Sequence, residues 1–423
     1  MNKFSEKLRL ILADRTLVKR IFITIVLLVV FRLLAAIPIP GIDAVRLNQL
    51  FAGNQFLGLL NVFSGGGLSN LSIVMLGVGP YITSTIIMQL LTLLSPRLKA
   101  MYQEEGQLGR RKFAQYSRML AVPLAILQAF GFLILFQKQG ILDPLGTFEL
   151  IRNILIVTAG SIFLMWLGER ISEFGIGNGL SLIIFGGIVA SLPLSVGRQL
   201  YSYDPSQLPI YLAILAGAIV VVYAVVVITE AERPIPVTYA KQVRGNKVYG
   251  GVSTYLPLRL NQAGVIPIIF ALSLMLFPQV IFGFLAQAKN ATLAAWALKG
   301  EQLMQNQWVY NIAYFLLVFI FTYFYTAVTF DPNSISENLQ KNGAFIPGVR
   351  PGQSTAAHIS RILTRLTAFG ALFLAIIAIL PLIIRASTGF TSIAIGGTAL
   401  LIVVSVVIDL IRRTDAQISM REY

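Results

Sequence analysis

Apolar positions fall in long unbroken runs along this chain, and polar residues gather in the gaps between them. A window of about 19 residues finds about ten runs long enough to cross a hydrocarbon core of roughly 30 Å. They lie near residues 21–37, 72–94, 114–136, 151–168, 180–197, 208–229, 262–286, 308–329, 366–384 and 390–411. None shows the ten-residue alternation of an outer-membrane barrel strand. The pattern therefore predicts an all-α polytopic membrane protein. One run is interrupted: Asn61 to Ile82 reads NVFSGGGLSNLSIVMLGVGPYI, with three consecutive glycines and then Gly-Val-Gly-Pro. An interior glycine costs a helix about 1 kcal/mol relative to alanine, and proline about 3 kcal/mol. Irregular backbone is tolerated at membrane depth only where protein buries it or where it lines a wet cavity. The segment is expected to face an interior passage.

Composition agrees. Of 423 residues, 56% are hydrophobic and only 12% are charged, against about a quarter charged in soluble domains. Basic residues outside the runs concentrate at the N-terminus, in the loops after the second, fourth, sixth and eighth runs, and at the C-terminus. By the positive-inside rule both termini are cytoplasmic. The formal charge of +15 then sits mostly on one face, where it can hold anionic lipid, nucleic acid or an acidic partner. No cysteine occurs, which excludes disulfides and thiol chemistry. Residues 1–20 are basic, with Phe4, Leu8, Ile11 and Leu12 at helical spacing. They predict a cytosolic amphipathic helix on the membrane surface. They lack the apolar core and cleavage site of a signal peptide.

Coupled transport or membrane-embedded catalysis would place ionisable groups inside the spans, where they are costly and usually functional. Glu169, Glu230, Asp331 and Asp409 all fall at predicted helix ends, and the only histidine, His358, falls in a predicted polar loop. No phosphate-cradling glycine-lysine motif is found. The chain is read as a non-enzyme with no cofactor and no metal. Arg32 is the one charge well inside a run, and it is read as snorkelling toward the far interface. What remains is structural: broken helices, uncharged polar residues such as Thr83, Gln89, Gln128 and Asn261, and large basic loops.

In the loop over 230–261, Gly245-Asn246 supplies the positive φ of a tight turn between VTYAKQV and KVYGGVST. This predicts a β-hairpin tipped by Arg244 and Lys247, suited to RNA phosphates or acidic protein surface. In the loop over 330–365, Pro347-Gly348 and Pro351-Gly352 flank Arg350, presenting one cation at a fixed place. A third basic loop, LSPRLKAMYQEEGQLGRRKF, mixes both signs of charge.

Six stretches in order along the chain resemble one family. They are IPIPGID (37–43), NVFSGGGLS (61–69), GRRKFAQY (109–116), MWLGERISEFGIGNGLS (165–181), NQAGVIP (261–267) and GAFIPGVRPG (343–352). The chain resembles the SecY family of protein-conducting channels. The resemblance implies ten transmembrane helices in two pseudo-symmetric halves, 21–197 and 208–411, related as an inverted repeat and closing like a clamshell. A short cytosolic tail, 412–423, follows. It implies a re-entrant plug over about 58–71, including Asn61, Phe63, Ser64, Gly65, Gly66, Gly67 and Leu68, with the helix resuming near Ser72. It places a constriction ring at Val78, Ile82, Leu180, Ile184, Ile268 and Ile402, with Val78 and Leu180 standing where isoleucine is usual.

A lateral gate is implied between helices 2 and 3 and helices 7 and 8, with Thr83, Gln128 and Asn261 hydrogen-bonding across it. Lys241, Arg244, Lys247 and Arg350 fall in loops that in this family dock the ribosome or the SecA motor ATPase. Pro234, Pro236 and Gln242 depart from the usual pattern there. The other implied partners are SecE-like and SecG-like small membrane subunits, signal peptides and nascent chains, and membrane lipids. The implied setting is the bacterial plasma (inner) membrane. An inverted-repeat secondary transporter or a lipid scramblase is the alternative function.

Overall fold

The computed structural model describes residues 13–40, 61, 64–68, 70–138, 140, 142–143, 145–201, 208–239, 242–244, 247–249, 253–285, 290–388 and 396–419. The predicted surface helix lies mostly outside the described residues, as do Phe63, Lys241, Gly245 and Asn246.

The first group of helices comprises α1 (Arg15–Ala35), α2 (Gly79–Leu94), α3 (Pro96–Gln103), α4 (Gly106–Lys138), α5 (Thr147–Phe174) and α6 (Gly179–Tyr201). The second comprises α7 (Leu208–Glu230), α8 (Ile266–Leu285), α9 (Ala291–Gln305), α10 (Gln307–Thr329), α11 (Pro332–Lys341), α12 (Gln353–Thr388) and α13 (Gly396–Ser419). Five described segments are long and apolar enough to cross a membrane: Gly106–Gln137, Thr147–Phe174, Tyr211–Glu230, Gln307–Lys341 and Gln353–Leu380.

Local chemistry sets the helix starts. Asp14 caps α1 by accepting from Thr16 N at 2.9 Å, Asn306 caps α10 through Trp308 N at 3.0 Å, and Asp331 caps α11 through Asn333 N at 3.0 Å. Each cap satisfies a backbone donor that the helix itself leaves open. Proline stands in the first turn of α2, α3 and α11, where its missing N–H costs nothing.

Neighbours within each group pack in a repeating order. In the first group α2 packs on α4, α4 on α5 and α5 on α6, while α1 lies against α5 and α6. In the second, α8 packs on α10, α10 on α12 and α12 on α13, while α7 lies against α13. The groups meet along two seams, α8 against α2 and α4, and α13 against α6. Small residues permit the close contacts, which matter where lipid removes any hydrophobic drive between helices. Ala121, Ala125 and Ala129 form a buried stripe on α4, and Ala371, Ala375 and Ala378 are buried on α12. A Cβ on Gly179 would collide with the carbonyl of Gly168, so α6 starts hard against α5.

Beyond one end of the second group lies a sheet that joins two loops. Strands β1 (Glu232–Tyr239) and β4 (Ser253–Arg259) pair antiparallel, and β5 (Ala344–Phe345) adds to the other edge of β1 at Thr238 and Tyr239. Between them β2 (Gln242–Arg244) pairs with β3 (Lys247–Tyr249), setting Arg244 opposite Lys247. The expected strand VTYAKQV thus begins five residues earlier and is shared between two pairings. Pro234 and Pro236 sit in β1 upstream of the β5 contact, on an edge where no N–H is required. They alternate with buried Ile235 and Val237.

The loop over 330–365 is largely helical, built from α11 and the start of α12. His358, read from the sequence as a loop residue, lies on α12, because Gly352 ends the turn and the helix starts at Gln353. The sheet has its own core of Ile235, Val237, Leu258, Ala344, Ile346, Ile359 and Ile362.

Truncating Ile359, fully buried in that core, should cost about 2–5 kcal/mol. With I359A, hydrogen exchange should accelerate across β1, β4 and β5 while amides of α5 and α6 keep their protection.

Candidate functional site

The segment between α1 and α2 determines what the two helical groups enclose. At 16 residues, α2 is about 24 Å long, too short to cross a core of roughly 30 Å unaided. Residues 70–78 make up the difference as turns and an isolated bridge. The helix therefore begins at Gly79, not near Ser72 as the resemblance implied, because Gly77 takes φ +57° and Leu71 takes φ +39°. Backbone bonds absorb the polar groups: Ile39 N donates to Leu71 O at 2.9 Å and Ile73 N to Ile37 O at 3.0 Å, around a Pro38–Ser72 bridge. Pairing with the end of α1 thus replaces helical bonds.

Upstream, the glycine-rich turn is equally bound. Gly66 N donates to Asn61 O at 2.8 Å, Leu68 N to Ser64 Oγ at 2.9 Å, and Ser72 N to Gly67 O at 2.9 Å. Gly65 and Gly66 take φ +66° and +83°, in the left-handed region that glycine enters freely. Sterics demand glycine as well. A Cβ on Gly65 would collide with the Phe31 ring and lie 3.4 Å from Gly187 Cα, and one on Gly187 would collide with the Gly65 backbone. The turn is thereby pressed onto α6 of its own helical group. Leu68 is buried with Leu71, Met75, Phe132 and Phe136 in a second apolar cluster on α4.

Arg32 departs from its snorkelling reading. A Cβ on Gly66 would lie 3.2 Å from Arg32 Nη1, so the guanidinium rests against the turn, where glycine leaves it room.

The six expected ring residues all belong to, or pack against, the largest apolar cluster. Val78, Ile82, Ile184, Ile268 and Ile402 belong to one buried apolar cluster spanning both helical groups, and Leu180 packs against it. Val78 caps α2, Ile82 lies one turn inside α2, Leu180 and Ile184 lie on the first turns of α6, Ile268 on the first turn of α8, and Ile402 on α13. Four elements from both seams thus converge. Val78, Ile184, Ile268 and Ile402 are each no more than 1% exposed, and Ile82 is 9% exposed. Branched aliphatic side chains offer an ion no ligand, and such a constriction closes by excluding water.

Thr83 and Asn261 behave differently from the expectation of cross-seam hydrogen bonds. Both are buried, yet Thr83 Oγ1 and Asn261 Oδ1 find no partner. The Asn261 amide instead donates to Gly264 O at 3.3 Å, bracing the turn that enters α8. A Cβ on Gly370 would lie 2.5 Å from Leu260 O, so α12 holds this turn tightly and turns Asn261 to local use. Gln128 is buried on α4, and Gln89 is buried on α2 with Oε1 unpaired.

Arg350 is exposed on the turn between β5 and α12, between glycines at φ +81° (Gly348) and +95° (Gly352). Its carbonyl accepts from Thr355 Oγ1 at 2.9 Å, and Gly352 O accepts from Ser336 Oγ at 2.7 Å. The turn is therefore rigid. Sequence reasoning missed its connection to β1 through β5, although alternating Ile235 and Val237 among prolines carried the signal of a half-buried strand. It also missed α9, whose 15 residues fall short of a span.

The fold and site together define a helical membrane protein whose two helical groups share one buried apolar cluster. The SecY family profile matches residues 72–411. Protein translocase subunit SecY of Pseudomonas aeruginosa is 41% identical over 403 residues, covering 94% of this chain and 90% of that protein. The subunit of the same name from Thermotoga maritima is 41% identical over 416 residues, covering 96% and 93%. Among solved structures, "The structure of a protein conducting channel" shares the fold with a TM-score of 0.66 at 20% identity, covering 96% of this chain and 93% of that one. The channel in a canine ribosome-channel complex from the endoplasmic reticulum gives a TM-score of 0.62 at 19% identity, with the same coverage. The chain belongs to the SecY family.

Two outcomes follow from this geometry. In vesicles, G187A should dislodge the Gly65 turn and raise ion leak, whereas G217A, whose Cβ meets nothing within 4 Å, should leave leak unchanged. T83V removes a buried unpaired hydroxyl, a group whose burial costs about 1–3 kcal/mol. Thermal unfolding should show the variant at least as stable as the parent; a cross-seam bond to Thr83 would give the opposite sign.

Proposed function

We propose that this protein is a passive channel that passes unfolded secretory polypeptides across a membrane and releases apolar segments sideways into lipid. The observation that carries this reading is one apolar cluster, fed by α2, α6, α8 and α13 of both helical groups, with a glycine-rich turn seated on α6. Aliphatic side chains that move by rotamer changes can part around a polypeptide of any sequence and close against it. They give ions no coordination, so the seal does not depend on what is passing. The turn over Asn61 to Leu68 acts as the plug: its own hydrogen bonds keep it compact, so it leaves as a unit.

In this reading the ten apolar helices α1, α2, α4, α5, α6, α7, α8, α10, α12 and α13 are the spans, five in each half of an inverted repeat. Both termini and the strand-bearing loops are cytoplasmic, in a bacterial inner membrane. The seam of α8 against α2 and α4 is the lateral gate. The unpaired Thr83 hydroxyl and the Asn261 amide, which bonds within its own turn, favour easy parting there, because few hydrogen bonds across the seam need breaking. A signal helix gains about 0.8 kcal/mol for each methylene it moves from water into lipid, enough to outweigh contacts of about 0.6–2 kcal/mol.

The chain performs no chemistry of its own, so a motor must supply the work. Arg350, Arg244 and Lys247, with Lys241 nearby in sequence, form the basic docking loops for a ribosome or a SecA-type ATPase. SecE-like and SecG-like subunits complete the assembly.

Site-specific photocrosslinking tests the reading. With a stalled secretory chain engaged in the reconstituted complex, probes at Ile82 and at Ile268 should both react with that chain. Reaction with lipid or small solute alone would favour a scramblase or a transporter instead.

A further inference from the structure

Helix α9 joins α8 to α10 at the end of the bundle opposite the β-sheet, and the channel reading assigns it no task. It is about 22 Å long, too short to span. Asn290 caps its start by accepting from Thr292 N at 3.2 Å, and Asn306 separates its end from α10. It is held to α8 closely: a Cβ on Gly300 would lie 2.9 Å from the Phe282 ring, and Ala297 is buried. Its free face carries Leu293, Trp296 and Leu303, with Trp296 77% exposed. Lys299, three residues after Trp296, flanks the same side of the helix, and Gln302 lies further round on that flank.

The next helix, α10, carries an exposed apolar stripe of its own. Trp308, Ile312, Leu316 and Ile320, spaced four apart, are all exposed, on a segment apolar enough to cross the membrane. A stripe of that kind faces acyl chains, and its terminal tryptophan marks the headgroup level.

We infer that α9 is an interfacial anchor, lying flat in the headgroup–acyl boundary of the membrane face opposite the sheet. Its tryptophan and leucines insert into lipid, and Lys299 beside them lays its aliphatic stem along the same side and carries its ammonium up to water. Because Gly300 seats on Phe282, α9 ties the far end of seam helix α8 to the bilayer surface. The inference rests on the channel reading only in needing α10 to span.

The test uses the full chain reconstituted into phosphatidylethanolamine–phosphatidylglycerol vesicles, in two single-tryptophan forms. W166F/W308F retains Trp296, and W166F/W296F retains Trp308. Lipids brominated near the headgroup should cost both tryptophans most of their emission, lipids brominated deep in the chain should cost less, and aqueous iodide should cost little. Trp296 emission lost to iodide but to neither brominated lipid, with Trp308 still quenched by lipid, would overturn the anchor and leave the spanning reading intact. Loss of lipid quenching at both positions would overturn both. Trp296 shielded from iodide and from both brominated lipids would mean that protein covers the face, which also overturns the anchor.

Discussion

Backbone that leaves the helix inside a bilayer must find partners for its N–H and C=O groups within the protein, since lipid offers none. The run from Asn61 to Gly79 meets this condition, and much of the architecture follows from how it does so. Residues 37–39 pair with 71–73, the Ser64 hydroxyl caps Leu68, and Gly66 closes on Asn61. To be enclosed, the run must lie against α6, which requires glycine at 65 and 187. To let the turns enter at depth, α2 must begin late, and its late start places Val78 and Ile82 in the apolar cluster that both groups share. The glycine-rich turn, the short helix and the buried apolar cluster are thus one solution to one backbone problem.

The same economy appears in how helices are joined. Arg118 of α4 meets Glu169 of α5 at 2.6 Å, and Arg412 of α13 meets Glu230 of α7 at 2.8 Å. Each pair is partly exposed at a helix end, where water and headgroups limit its worth to about 1 kcal/mol. Such pairs set the rotation of neighbours more than they hold them. Tight contact comes from Ala121, Ala125 and Ala129 on α4 and from Gly168 against α6, where absent side chains let helices approach.

Much of this was legible in the sequence. Runs of apolar residues announce their helices because a bilayer penalises any interruption, and the glycines at 65–67 announced irregular backbone for the same reason. The burial of branched aliphatics at Val78, Ile82, Ile184, Ile268 and Ile402 was legible from their place in apolar runs, and a role for them beyond ordinary core came only from resemblance. Three features were not legible, each for a physical reason. Pairing of β5 with β1 joins residues about a hundred apart in sequence, which no local pattern records. Asn261 was expected to reach across the seam, but the tight turn under Gly370 diverts its amide to Gly264. The start of α2 moved to Gly79 because Leu71 and Gly77 take left-handed conformations that composition alone does not reveal.

The three-stranded sheet has a mechanical meaning. Its strands follow α7 and α11 and lead into α8 and α12, and its core reaches Ile359 and Ile362 of α12. A force applied at Arg350 or at the β2–β3 strands is therefore shared among four helices of one group and cannot bend any one of them alone. Load on either loop is thereby spread over the second helical group before it reaches a seam.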